Sequence, residues 1–262
     1  MKTYFGLIGH PLSHSFSKAY FTEKFEREGL DCEYENYDID DIAMVRDVDL
    51  TGFNVTSPYK EAIIPYLDEL DPIAAEVGAV NTVKVLPDGR LIGYNTDVIG
   101  FLTSLRAERS GAKQPEGSST KGRKSNLTRT NALILGTGGA SKAVQYALMQ
   151  LGIRYSIVSR SIGKGDYQYE ELTPEIIQSH LLIVNATPVG MAPNINEAPN
   201  LPYDAITPQH TLIDLIYNPD ETLFLRNGKE RGATTINGLT MLHAQAEASW
   251  EIWTHVIASG TQ

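Results

Sequence analysis

Short apolar runs alternate with amphipathic stretches along the first part of the chain. The run at 4–9 predicts a buried strand, and apolar positions at helical spacing predict a helix over 15–28. A Pro-Asp-Gly turn signal at 87–89 lies between two apolar runs and predicts a hairpin. The predicted strands of this part are 4–9, 33–37, 53–55, 79–86 and 91–94.

A second alternation begins at Asn131. Its first apolar run is followed by a glycine-rich turn and an amphipathic helix that is predicted to end at Leu151. Strands that alternate with helices are typical of a parallel sheet with right-handed crossovers. The predicted strands of this part are 132–135, 155–158, 181–184 and 211–214. The two patterns together predict an α/β protein of two domains.

Length, charge and cysteine content narrow the possible classes. The chain has 262 residues, which suits one large or two ordinary domains, and its net charge of −10 argues against nucleic acid as a partner. No apolar run approaches the ~18 residues of a membrane span, and the first residues lack the apolar stretch of a signal peptide. The single cysteine, Cys32, excludes an internal disulfide, so we expect a cytoplasmic protein.

The composition changes sharply at 106–130. This segment contains seven basic and two acidic residues, among glycine, serine and proline. We interpret this segment as a solvated loop beside the domain junction. A basic arm for an anionic partner is the alternative, but no aromatic residues are interleaved to support it.

The glycine-rich turn at 136–141 lies between a predicted strand and a predicted helix. Gly136, Gly138 and Gly139 would allow a tight turn and let backbone N–H groups approach a pyrophosphate at the helix N-terminus. Ala140 and Ser141 are small enough for close helix–strand packing. This context favours a dinucleotide site over a plain turn.

The end of the next strand indicates which dinucleotide. An NAD site usually places a carboxylate there, but this chain has Ser159 and Arg160, and its first carboxylate is Asp166. A guanidinium pairs with a 2′-phosphate, which an acidic residue would repel. We therefore expect NADP(H), with an exposed surface charge as the alternative interpretation of Arg160.

Hydroxyl groups are concentrated after the first strand, in the segment 9–17. His10 and His14 are four residues apart, which could suggest a metal site. Pro11 argues against a helix there, and no Glu or Cys partner lies in register, so we expect no metal.

A second group of polar residues follows the strand at 53–55. Ser57-Pro58 predicts a helix N-cap followed by proline at the first helical position, which places Lys60 at about the third position. The positive end of a helix disfavours an ammonium ion, so Lys60 would be a ready proton donor. A solvated lysine is the alternative. Asp97 is predicted to cap the next helix, and a carboxylate that orients a lysine is equally consistent.

These motifs resemble the shikimate dehydrogenase (shikimate 5-dehydrogenase) family, whose members reduce 3-dehydroshikimate with NADPH. The matching segments follow the family's order from Ile8 to Gln245, and together they are specific. They are 9–15, 54–60, 78–82, 95–97, 136–141, 185–187, 237–238 and 241–245.

The resemblance implies a role for each matching position. Lys60 would be the acid/base group, paired with Asp97. The substrate carboxylate would be held by Ser13, Ser15 and Tyr217, and the ring hydroxyls by Thr56, Asn81, Asp97 and Gln245. The cofactor pyrophosphate would lie on Gly136, Gly138, Gly139 and Ala140, its adenosine phosphate on Ser159 and Arg160, and its nicotinamide beside Leu215 and Gly238.

The resemblance also implies the domain arrangement. We expect a substrate domain from 1–104 and 239–262, a Rossmann-like NADP domain from 105–238, and a cleft between them. The stretch 162–172 is too short and glycine-rich for the helix usual in the family. A quinate/shikimate dehydrogenase of broader specificity and a catalytically silent ligand sensor are the alternative functions.

Overall fold

The computed structural model describes residues 2–12, 15–110 and 130–254, and the side chains of 108–110 are not described. The chain forms two compact units, Met1–Thr96 with Gln245–Gln262, and Asp97–Ala244. The predicted residues Ser13 and His14 lie outside the described part.

The first unit contains a six-stranded mixed sheet. Its strands are β1 (Thr3–Gly9), β2 (Cys32–Asp38), β3 (Gly52–Val55), β4 (Glu69–Leu70), β5 (Thr82–Val85) and β6 (Leu91–Tyr94), in the order β2-β1-β3-β5-β6-β4. Its helices are α1 (Phe16–Glu28), α2 (Tyr59–Ala62) and α3 (Pro72–Val77), with 3-10 turns at Ile42–Asp47 and Ile64–Tyr66. Strands β5 and β6 form the predicted antiparallel hairpin.

The second unit contains a five-stranded sheet in which every pair of neighbouring strands is parallel, as predicted. Its strands are β7 (Ala132–Leu135), β8 (Tyr155–Val158), β9 (Leu182–Asn185), β10 (Thr211–Asp214) and β11 (Thr234–Ile236), in the order β11-β10-β9-β7-β8. Its helices are α4 (Asp97–Ser110), α5 (Gly139–Gln150), α6 (Pro174–Ser179), α7 (Leu223–Glu230) and α8 (Leu239–Thr254). The residues of α8 from Gln245 onward group with the first unit.

The structure corrects one of the predicted connections and confirms another. Helix α4 continues to Ser110, so the predicted loop at 106–130 begins too early, and 111–129 lies outside the described residues. Between 162 and 172 the described chain has a 3-10 turn at Tyr169–Glu171 and no α-helix, which confirms the shortened connection.

An aromatic core fixes the end of α8 against the first sheet. Trp253 stacks on Phe5 with ring centroids 4.9 Å apart, and its indole Nε1 donates to the Val83 carbonyl at 2.9 Å. A Cβ at Gly52 would lie 2.4 Å from the Trp253 ring, so only glycine allows this approach. Because the helix is held this closely, Gln245 and Ser249 on α8 have fixed positions relative to β3 and β5.

Candidate active site

Backbone hydrogen bonds bring three predicted substrate-binding segments together in the first unit. The amide of Val55 donates to the Asn81 carbonyl at 2.9 Å, and the amide of Thr56 donates to the Ile8 carbonyl at 2.9 Å. The amide of Val80 donates to the Lys60 carbonyl at 2.7 Å. Thr56 and Lys60 are therefore held beside the strand that leads into Asn81.

The local structure around Lys60 differs from the prediction. Pro58, not Ser57, occupies the cap position and makes no side-chain cap hydrogen bond, and Lys60 is the second residue of α2. This helix has only four residues, so it has too few aligned peptide dipoles to support the predicted dipole effect on the ammonium group. Lys60 is half-buried, which leaves its side chain accessible from one side.

A buried network of neutral polar side chains lies next to these segments. The Ser249 hydroxyl meets the Thr82 hydroxyl at 2.8 Å, and it accepts a hydrogen bond from Asn54 Nδ2 at 2.9 Å. Asn81 Nδ2 donates to the Thr96 hydroxyl at 2.9 Å and to Gln245 Oε1 at 3.5 Å. We call Asn54, Asn81, Thr82, Thr96, Gln245 and Ser249 the neutral network. All six residues are buried, so water does not compete for these hydrogen bonds.

The neutral network fixes the orientation of two predicted substrate residues, Asn81 and Gln245. The Asn81 side-chain oxygen accepts from the Thr96 amide at 2.7 Å, which also settles which end of the amide points towards Gln245. Asp97 follows Thr96 directly, is buried, and is the first residue of α4. Asp97 therefore lies one residue inside the helix start and not at the predicted cap position.

Ser15 has a structural role in addition to its predicted one. Its hydroxyl accepts from the Lys18 amide at 3.2 Å and caps α1. This bond uses one lone pair and leaves the Ser15 hydroxyl proton available to an acceptor such as a carboxylate.

The predicted cofactor residues all lie at one edge of the parallel sheet. Because parallel strands end at the same edge, the segments that follow these strands all begin there, those after β7 and β8 on one side of β9 and those after β10 and β11 on the other. These residues are Gly136, Gly138, Gly139, Ala140, Ser159, Arg160, Leu215 and Gly238. Tyr217 follows β10 at the same edge.

The glycine turn has the geometry that an anion site needs. Gly136 has φ +106°, and the Ser141 hydroxyl donates to its carbonyl at 2.7 Å. Gly138 is exposed at the N-terminus of the twelve-residue α5, and a Cβ built on it would meet nothing within 4 Å. The backbone is thus open to a pyrophosphate at the positive end of a helix, so the residues present fit a dinucleotide.

The segment after β8 folds back instead of continuing into a helix. The Ser159 amide donates to the Tyr167 carbonyl at 2.9 Å, and the Ser159 hydroxyl accepts from the Ser161 amide at 3.0 Å. Ser159 is buried, whereas Arg160 is exposed. The guanidinium of Arg160 is therefore free to reach a phosphate at this edge.

The sequence did not predict two contacts at the edge of the sheet where the cofactor residues lie. Gly238 packs so closely on the segment after β10 that a Cβ would lie 2.2 Å from the Leu215 carbonyl oxygen. Asp214 is fully buried at the end of β10 and bonded to Asn185 and Thr222. Asn185 lies in the matched segment 185–187 without an assigned role, and a polar residue at the end of an otherwise apolar strand is the signal that could have identified Asp214.

The described residues contain neither a membrane-spanning helix nor a metal-binding cluster. None of the described helices is long and apolar enough to cross a membrane. In the same part of the chain, no group of three or more His, Cys, Asp or Glu residues is arranged to hold a metal ion.

Comparisons with known proteins give a consistent result. The model of the shikimate dehydrogenase substrate binding domain matches residues 7–83. A shikimate dehydrogenase (NADP(+)) of Desulforamulus reducens is 36% identical, covering 95% of this chain and 89% of the relative. One from Methanococcus maripaludis is 39% identical, covering 95% and 90%.

Solved structures agree with the sequence comparisons. Shikimate 5-dehydrogenase from Thermus thermophilus in complex with NADP(H) and shikimate is 32% identical, with a TM-score of 0.80, covering 97% of this chain and 94% of that one. Quinate dehydrogenase from Corynebacterium glutamicum in complex with NAD is 26% identical, with a TM-score of 0.80 and the same coverage.

Proposed function

This chain belongs to the shikimate dehydrogenase family, and on that basis we propose that it catalyses the reversible, NADPH-dependent reduction of 3-dehydroshikimate to shikimate. The observation that carries the proposal is the identity of 36% with an NADP(+)-dependent shikimate dehydrogenase over 95% of the chain. The unit that contains the neutral network is the proposed substrate domain, and the parallel-sheet unit is the proposed cofactor domain.

The proposed cofactor residues divide the dinucleotide among three segments. The turn at Gly136–Ala140 holds the pyrophosphate, Ser159 and Arg160 hold the adenosine phosphate, and Leu215 and Gly238 lie beside the nicotinamide. When bound, NADPH supplies the hydride for the reaction. The exposed Arg160 favours a 2′-phosphate and hence NADP(H), because a guanidinium forms charge-assisted hydrogen bonds with phosphate oxygens.

The proposed acid/base group is Lys60, with Asp97 as its carboxylate partner. Reduction of a ketone places negative charge on the carbonyl oxygen. The Lys60 ammonium stabilises that charge and transfers a proton to the oxygen, and in the reverse direction neutral Lys60 removes the hydroxyl proton. A positioned general acid of this kind contributes a rate factor of ~10²–10⁴.

The neutral network supports recognition of the ring hydroxyls. Asn81 and Gln245 are proposed to bind hydroxyl groups together with Thr56 and Asp97, while Ser13, Ser15 and Tyr217 bind the carboxylate. A site that is built to hydrogen-bond hydroxyl groups rejects analogues that lack them. A small-molecule substrate and a cytoplasmic location complete the proposal.

The test is absorbance at the reduced-nicotinamide band. We expect shikimate-dependent reduction of NADP⁺, slower reduction of NAD⁺, and weak or absent reduction with quinate. Quinate turnover with NAD⁺ that exceeded shikimate turnover with NADP⁺ would assign the broader quinate/shikimate activity instead. Binding of both ligands without turnover would assign a sensor role.

A further inference from the structure

The carboxylate of Asp214 connects the end of β9 with both ends of the loop between β10 and α7, at the edge of the parallel sheet. Asp214 is the last residue of β10 and lies opposite Asn185, the last residue of β9. Asp214 Oδ1 accepts from Asn185 Nδ2 at 3.1 Å and from the Ile216 amide at 3.0 Å, and Oδ2 accepts from the Thr222 hydroxyl at 2.6 Å. One buried side chain therefore contacts the end of β9, the loop after β10 and the start of α7.

Each partner of Asp214 fixes a further part of its own loop. Asn185 Oδ1 accepts from the Thr187 hydroxyl at 2.6 Å, and Asn185 Nδ2 also donates to the Val189 carbonyl at 3.3 Å. The Thr222 hydroxyl caps α7 by accepting from the Leu225 amide at 3.3 Å. Removal of the carboxylate would leave three buried donors without their acceptor.

The Ile216 bond has the most direct consequence for the site. The Ile216 amide is held by Asp214, and the Ile216 carbonyl accepts from the Gly238 amide at 2.9 Å. Gly238 and Leu215 are the two residues proposed to lie beside the nicotinamide. Tyr217 follows Ile216 directly in the chain. The backbone that presents these three residues is thus clamped at Ile216 between a carboxylate and a glycine.

The opposite end of the cofactor site has no such link. Ser159 and Arg160 follow β8, which is an outermost strand of the sheet and is separated from β10 by β9 and β7. Their segment is held by Ser161 and Tyr167, and the hydrogen bonds of Asp214 do not reach it. Changes at Asp214 should therefore affect the two ends of a bound dinucleotide unequally.

We propose that Asp214 is a positioning residue for the nicotinamide end of the cofactor site, acting through Ile216 on Leu215, Tyr217 and Gly238. The proposal rests on the proposed function for its assignment of the nicotinamide end. The carboxylate itself does not contact cofactor or substrate in this role. It sets the geometry in which the nicotinamide ring faces the substrate, and small errors in that geometry are costly in rate.

The experiment compares two ligands on the full chain. NADP⁺ spans the whole site, whereas adenosine 2′,5′-bisphosphate reaches only the adenosine phosphate end. For Asp214→Ala we expect NADP⁺ binding to weaken by about tenfold and kcat to fall by about tenfold or more, with bisphosphate affinity within about twofold of wild type.

Two variants serve as controls for fold and chemistry. Asp214→Asn keeps an oxygen that accepts from Asn185 and Ile216, and its amide can donate to Thr222, so it should retain most of the kcat. His210→Ala removes another buried polar side chain at the opposite end of β10, where His210 accepts from the Thr207 amide at 3.0 Å. It should lower stability without changing the ratio of the two affinities.

The outcomes separate this proposal from the proposed function. If Asp214→Ala weakened the binding of both ligands equally, so that their affinity ratio stayed unchanged as in His210→Ala, the positioning role would be overturned. If Asp214→Ala does not fold, Thr222→Val removes one donor to the same carboxylate and must show the same unequal loss, at smaller size. The affinity ratio needs no turnover, so an inactive wild-type protein would refute the proposed function alone.

Discussion

The two units contain buried polar networks of different chemistry. In the first unit, the neutral network consists of amides and hydroxyls only, and its attached Tyr34 has a pKa raised by burial, so it stays uncharged. In the second unit, the network at the sheet edge is centred on a carboxylate, Asp214, whose pKa burial raises from 3.8 to about 6. Both networks hold backbone near proposed ligand residues, but only the second can change charge near neutral pH.

The two networks differ in the free-energy cost of burying their polar groups. Burial of a fully paired neutral network costs little free energy, because every donor meets an acceptor. A buried carboxylate pays for desolvation even when three donors surround it, and its raised pKa reflects that cost. A charged acceptor in return makes stronger hydrogen bonds than a neutral one, which suits a group that holds the end of β9 and both ends of the β10–α7 loop together.

The largest expected effect is the pH dependence that Asp214 contributes to stability. Between pH 3.8 and about 6 the folded protein holds a proton that the unfolded chain has released, so the contribution of Asp214 falls as pH rises. A shift of about two pKa units corresponds to about 3 kcal/mol. Denaturant unfolding at pH 4 and pH 7 should show wild type losing about 2 kcal/mol more than Asp214→Asn, because the unfolded carboxyl is already partly ionised at pH 4. An equal loss in both proteins would contradict the charged network.

The neutral network should respond to mutation without pH dependence. Ser249→Ala removes one of the three acceptors of Asn54 Nδ2 and one partner of the Thr82 hydroxyl, and should lower the free energy of unfolding by about 2 kcal/mol. The cost should be the same at pH 5 and pH 8, measured by urea unfolding. Ser104→Ala is the matched control, because that buried hydroxyl donates only to the Phe101 carbonyl of its own helix at 2.8 Å, and should cost much less. A pH-dependent cost at Ser249 would mean that a charged group takes part.

A smaller effect is expected at the exposed charge of the cofactor edge. Arg160→Ala should reduce the preference for NADP⁺ over NAD⁺ by about tenfold, equivalent to about 1.4 kcal/mol, because water and salt screen this side chain. The ratio of kcat/KM for the two cofactors measures it, with Arg154→Ala, another exposed arginine of the same unit, as control. An unchanged ratio would place the adenosine phosphate elsewhere.

Much of the fold was predictable from local pattern. The strands β7, β8 and β10 were predicted with their observed bounds, because each is a short, mainly apolar run of the kind that parallel strands form. Strand β4 has only two residues and β11 only three, too few for a pattern to be detected.

The networks were not predictable in the same way. Asn54 and Ser249 are bonded across 195 positions, and nothing local to either residue specifies that contact. The N-cap at Ser57 was wrong for a related reason. The segment Thr56–Lys60 is held by hydrogen bonds to Ile8 and Val80, and this tertiary pairing overrides the local capping preference. The motif residues were found because the family resemblance fixed their roles, whereas the residues that orient them lie outside the motifs or have no assigned role.

The most direct test of the account is the rate of shikimate-dependent NADP⁺ reduction by Lys60→Ala beside wild type. We expect kcat to fall by ~10²–10⁴, with NADP⁺ affinity and the unfolding midpoint close to wild type, because the ammonium group acts on the substrate oxygen. A variant that kept the wild-type rate would contradict the assignment of Lys60 as the acid/base group and would place the proton donor on another residue.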